Sequence, residues 1–140
     1  MKHYLTFLLL IASVIALRAG DAHDHGHSHA HITVPATLPE VRAEIVAEQK
    51  KLSEALAARD AAAVHGATGV LAACVRATPG MTTGLDAATL QRITGMANNA
   101  AKAWGEAAHE AVHGDYDKAG REAAKAAAAY RLLEARLPRD

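Results

Sequence analysis

The sequence predicts an all-α protein: an antiparallel up-down-up-down four-helix bundle over residues 37–140, preceded by a signal peptide over 1–22 and a disordered histidine-rich segment with its linker over 23–36. Two observations carry that reading. Beyond the leader, apolar residues recur three and four apart instead of alternating, the period of helices buried along one side. The breaks between these runs are mostly short and marked by capping residues, so consecutive helices must turn back on one another.

The leader has the three parts of a secretory signal. Met1-Lys2-His3 is a short basic start, Tyr4 to Leu17 is a nearly unbroken apolar run of 14 residues, and small residues follow. A helix needs about 20 residues to cross a bilayer, so this run predicts cleavage and not anchorage. Cleavage after Ala22 places Gly20 and Ala22 at the two small-residue positions, whereas cuts after Ala19 or Gly20 place Leu17 or Arg18 at the outer one. The mature chain is thus expected to be periplasmic or secreted, with no stable membrane anchor.

Next comes the run His23-Asp24-His25-Gly26-His27-Ser28-His29-Ala30-His31, then Ile32 to Ala36, with Pro35 in it, as an extended linker. Gly, Ser and Asp leave the run no apolar face to bury, so disorder in the absence of metal is predicted.

Thr37-Leu38-Pro39-Glu40 is a capping box, with Pro39 where a helix needs no amide. The first helix runs from it to about Ala58, with Leu38, Val41, Ile45, Leu52 and Leu56 inward. Arg59-Asp60 is a brief break, and Asp60 caps a second helix to about Ala77 with Val64, Ala67, Leu71 and Cys74 inward. Gly66 and Gly69 lie off that stripe, and each costs about 1 kcal/mol relative to alanine. Pro79-Gly80 should end the helix, and Met81 to Leu85 make the longest connection. Asp86 caps the third helix, with Leu85 and Leu90 as a hydrophobic staple. Its rows are Leu90, Ala97, Trp104 and Ala111 beside Ile93, Ala100 and Ala107. Gly114 stops it and Asp115 opens the fourth, with rows Tyr116, Ala123, Tyr130 and Leu137 beside Ala119, Ala126 and Leu133, closed by Pro138. Alanine seams permit close approach but bury little area each, so stability should be modest, with Trp104, Tyr116 and Tyr130 as the bulky anchors.

Composition narrows the function. Loss of Lys2, Arg18 and Asp21 with the leader leaves 13 basic and 14 acidic side chains, a nearly neutral chain. Without a concentrated positive field it has no means of holding phosphate, which argues against nucleic acid as a partner. The single Cys74 rules out an internal disulfide.

The histidine run carries the chemistry. Neutral imidazole is a good ligand for copper, nickel, cobalt and zinc, so His23, His25, His27, His29 and His31 are candidate ligands for a divalent transition metal. Alternation sets all five rings on one side of an extended segment, and a loose turn gathers any two or three. Such multiplicity favours capacity over selectivity. If the chain begins His23-Asp24-His25, its free amine, two backbone amides and the His25 ring can also make a square-planar site suited to Cu(II) or Ni(II).

A second motif lies in His109-Glu110-Ala111-Val112-His113, which matches H-E-x-x-H, where two histidines one turn apart bind zinc and the glutamate acts as general base. Its context is poor for a peptidase. It sits at the end of a helix, residue 116 is Tyr where the extended pattern needs Gly, and the heptad turns His109 and His113 outward. A surface metal pair from His109 and His113 is the reading kept, and no enzymatic activity is expected. Protonated histidines in a last turn also suit the negative end of the helix dipole. His65 reads as a partly solvated spacer beside the inner stripe. Cys74 reads as core packing, with a soft Cu(I) ligand or an intermolecular disulfide as the other roles open to it.

At Thr37-Leu38-Pro39-Glu40-Val41, Val64-His65 and Gly114-Asp115-Tyr116-Asp117-Lys118-Ala119, together with the exported histidine leader, the chain resembles small exported histidine-rich helical-bundle proteins found alongside bacterial heavy-metal efflux systems. The likeness spans most of the mature chain. It implies a setting of metal tolerance, with an efflux component as partner, and transfers no metal site within the bundle. The remaining reading is a structural or interaction bundle whose histidine-rich leader is incidental.

Overall fold

A computed structural model of the protein describes residues 32–138, and the expected signal peptide and the run His23 to His31 lie outside the described residues. Four helices form a bundle, α1 Leu38–Ala58, α2 Ala61–Ala77, α3 Ala87–Val112 and α4 Tyr116–Glu134, with no strand among the described residues. Each starts at a polar residue foreseen as its cap. Glu40 reaches back from the first turn of α1 to accept from the Thr37 amide at 3.2 Å and its hydroxyl at 2.8 Å. Asp60, Asp86 and Asp115 each accept from the amide three residues on, at 3.0, 2.9 and 2.9 Å, satisfying donors that a helix start leaves unpaired.

The inner face of α1 follows a strict seven-residue repeat through Leu38, Val41, Ile45, Glu48, Leu52 and Ala55. That repeat displaces the expected Leu56, which is only half-buried, and puts a carboxylate in the seam. Glu48 is 4% exposed and its charge is met by an ion pair with Lys51. At the end of α1, Arg59 takes the left-handed conformation, φ 53°, and its amide and that of Asp60 close back on Leu56 and Ala55. The Arg59 guanidinium lies 5.8 Å from the centre of the half-buried Tyr116 ring.

Val64, Ala67, Leu71 and Cys74 of α2 are buried as foreseen, but so are Thr68, Ala72 and Val75. The face is wider because α2 packs against both α1 and α3. The buried Thr68 hydroxyl donates to the Val64 carbonyl at 2.8 Å, so it brings no unpaired group inside. Pro79-Gly80 does not open a loop: Thr78–Met81 continues α2 as a 3-10 turn with Thr78 and Pro79 buried, since a proline early in such a turn has no amide to lose. The segment Ala61–Met81 is long and apolar enough to cross a membrane by composition, and here 44% of its most apolar window is buried inside the bundle.

In α3 the seam runs through Ile93, Ala97, Ala100, Trp104, Ala107 and Ala111. Leu90, expected at its head, stands one turn in from the helix start and is 39% exposed. In α4 the buried residues are Ala119, Ala123, Ala126, Tyr130 and Leu133. Leu137 is buried too, but α4 ends at Glu134 and not at Pro138. The residue before a proline is forced out of the helical region, so the chain leaves through tight turns, with the Arg136 amide on Leu133 at 2.8 Å and that of Leu137 on Glu134 at 3.1 Å.

The most extensive contact is between α3 and α4, and the sparsest neighbouring pair is α1 with α4. Contacts across the pairs run in opposite directions. Glu110, late in α3, meets Lys118, early in α4, at 2.8 Å, and Arg42, early in α1, donates to the Pro138 carbonyl at 2.7 Å. At the centre, fully buried Trp104 packs against Tyr130 with ring centres 6.2 Å apart and planes tilted 43°. The indole N–H has no hydrogen-bond partner. Burial, reinforced by Glu134, pushes the Tyr130 hydroxyl up to about 12.

Two outcomes are expected. Trp104→Ala should cost about 3–5 kcal/mol in urea unfolding, with Trp104→Phe losing clearly less because it also removes an unpaired donor; equal losses would contradict the packing described. In an alkaline absorbance titration Tyr130 should keep its proton until about pH 12. Because the folded value is raised, stability is whole below the ordinary tyrosine range near pH 10 and falls as pH rises towards 12. Ionisation of Tyr130 near pH 10 in the folded protein would contradict this.

Candidate metal-binding residues

His23, His25, His27, His29 and His31 lie outside the described residues, which begin at Ile32. The chain from Ile32 is more closely packed than a free linker. Val34 lies half-buried against the core, and the Ile32 Cδ1 is 3.5 Å from the point that a Cβ on Gly69 would occupy. The chain therefore arrives on α2 beside its off-stripe glycine.

Gly69 lines a groove of about 400 Å3 between α2 and α3, whose walls include His65 and Thr68 from one helix and Gly105 and His109 from the other. Both histidines are exposed. A Cβ at Gly105 would meet nothing within 4 Å, so the groove is open on that side. Sequence reasoning treated His65 as a spacer. The signal that finds it is the pair of glycines off the inner stripes of facing helices, which leaves a bare channel beside a histidine.

His109 and His113 come together as their spacing requires. Their rings meet edge to face with centres 4.5 Å apart, both exposed on the last turn of α3. Gly114 sets that position: at φ +81° it ends the helix, its amide closing on Ala111 and that of Asp115 on Glu110, both at 3.0 Å. The inward residue between them is Ala111, fully packed. Glu110, the general base of the motif, is 2.8 Å from Lys118, and this carboxylate in turn pushes the Lys118 ammonium up. Two imidazoles can share an ion at metal–nitrogen distances of about 2.0–2.1 Å, but a four-coordinate site needs further ligands. Among the described residues no group of three or more His, Cys, Asp or Glu is placed to hold a metal.

Cys74 is fully buried, and burial first, then Glu44 and Glu48, push its thiol up. A thiol held protonated in a core is a poor nucleophile and a poor soft-metal ligand. No family model, curated protein or solved structure matches this chain. Function must therefore be argued from the chain's own chemistry.

Iodoacetamide should label Cys74 only once denaturant opens the bundle. Rapid labelling of the folded protein would show the thiol to be accessible and reopen its role as a ligand or intermolecular bridge.

Proposed function

We propose that this protein binds divalent transition-metal ions, Cu(II), Ni(II), Co(II) or Zn(II), outside the cytoplasm, as a buffer or scavenger accessory to metal efflux or resistance. The observation that carries the reading is the run of five histidines at alternate positions from His23 to His31, directly after a signal-like leader. Imidazole is the ligand class these ions share, and five near-equivalent donors make many overlapping chelates. Ordering the run costs about 1–2 kcal/mol per fixed residue, which favours rapid, moderate binding over a rigid selective site. Processing after Ala22 adds the amino-terminal site through His25, whose geometry suits Cu(II) and Ni(II).

The bundle serves as the carrier, with His109 and His113 as an auxiliary surface pair. The ion pair of Glu110 with Lys118 and the helix-end position of the motif support binding over hydrolysis. The resemblance to exported histidine-rich proteins of heavy-metal efflux systems supports an efflux component as the protein partner.

Equilibrium dialysis of the chain from His23 against each ion, beside a chain beginning at Ile32, tests the assignment. Most of the bound metal should vanish with residues 23–31, and metal held by the chain from His23 should be released as the pH falls below about 6, because protons compete with metal for imidazole nitrogen. Unchanged stoichiometry after the deletion would refute the reading.

A further inference from the structure

We infer that the cavity between the first turns of α3 and the chain leaving α4 binds a small organic monoanion, a carboxylate on a short apolar body, with Arg92 and Arg136 holding the carboxylate and Ile93 and Met96 the apolar part. The site is independent of the metal-binding reading, since none of its lining residues is a histidine.

One face of α3 and one turn build the cavity. Thr89, Arg92, Ile93 and Met96 recur three and four apart, so they share one side of the helix, and Arg136 joins them from the turn after α4. That turn is fixed: the Arg136 amide donates to the Leu133 carbonyl at 2.8 Å, and the next residue, Leu137, is buried. Ile93 lines the cavity although it is only 1% exposed, which puts it at the bottom, and Met96 lies half-buried against the core beside it. A flexible thioether beside a rigid apolar side chain adapts readily to an aliphatic chain. The volume of about 410 Å3 stands near the lower end of the roughly 300–1,000 Å3 typical of ligand sites, so the occupant is compact.

Charge selects the rest of the ligand. Among the described residues neither Arg92 nor Arg136 is in an ion pair. The Arg92 Nε donates to the Ala88 carbonyl at 3.4 Å, which leaves the rest of its guanidinium fork for another acceptor, and such a fork matches a planar carboxylate. The carboxylates at these two helix ends are engaged elsewhere. Glu134 meets Arg42 at 3.9 Å and the Tyr130 hydroxyl at 3.5 Å. Asp86 accepts from the Thr89 hydroxyl at 2.7 Å and its amide at 2.9 Å, and these bonds hold it below the usual carboxylate range. Its fixed negative charge beside the cavity-lining Thr89 offsets part of the two positive ones, so a monoanion is better matched than a dianion, and a metal cation is repelled.

Octanoate is the probe, with octanol and inorganic sulfate as its two halves. In calorimetric titration of the chain from His23, octanoate should bind saturably and at least about ten-fold more tightly than either, because each half makes only one of the two kinds of contact. In spectra of methyl-labelled methionine, octanoate should shift the Met96 resonance and leave that of Met81, which lines a different cavity, in place. Arg92→Gln and Arg136→Gln, both at exposed positions, should keep the helical circular dichroism and each weaken octanoate about five- to ten-fold, while octanol is unaffected. Octanol binding as well as octanoate would show an apolar surface with no use for the arginines and overturn the inference. Sulfate binding as tightly would show a plain anion site and overturn it too. Unchanged octanoate affinity in both arginine variants, a Met96 resonance that does not move, or no saturable octanoate binding would equally refute it, and each of these leaves the metal-binding reading untouched.

Discussion

A core made largely of alanine is dense only if its helices come close, and that constraint governs the rest of this molecule. Ala97, Ala100, Ala107 and Ala111 on α3 face a helix whose own seam is Ala119, Ala123 and Ala126, and this pair makes the most extensive contact in the bundle. Each alanine removes little surface from water at about 25 cal/mol per Å2, so the larger side chains carry a disproportionate share. Trp104, the largest fully buried side chain, packs against Tyr130. Size outweighs polar satisfaction at that point, because the indole N–H is left unpaired at the centre. On the opposite side, α1 and α4 meet sparsely and are joined by Arg42, which reaches the Pro138 carbonyl and Glu134.

Small residues have a second consequence outside the core. Glycines on the outer shoulders of α2 and α3 weaken the helices by about 1 kcal/mol each relative to alanine, yet they leave the channel in which His65 and His109 stand. The chain enters the bundle at that channel. A fold that is economical in side-chain volume thus keeps a bare surface beside Ile32, where the described residues begin.

Local chemistry was highly legible in the sequence. Thr37, Asp60, Asp86 and Asp115 marked every helix start, because a polar side chain just before an apolar period has one common use. The seams of α3 and α4 followed for the same reason. What escaped was whatever depends on contact between distant segments. Glu48 keeps the α1 repeat but was passed over as a charge, since only the folded structure shows Lys51 meeting it beside the core. Ala55 replaced Leu56 because the seven-residue repeat outweighed side-chain size. Pro138 acted one turn earlier than expected by expelling Leu137 from the helix. His109 with His113 was readable from one helix, whereas His65 with His109 requires the register of two.

The proposed function rests on imidazole nitrogens near the expected processed amino end, which would meet transition-metal cations outside the cytoplasm. Native mass spectrometry of the protein exported from cells grown with added copper, nickel, cobalt or zinc tests this most directly, because it reads the true amino terminus and the bound ions on one molecule. The account predicts a chain starting at His23 and carrying transition-metal ions that a chelator removes. A chain starting beyond His31, or one starting at His23 but metal-free from such medium, would contradict it.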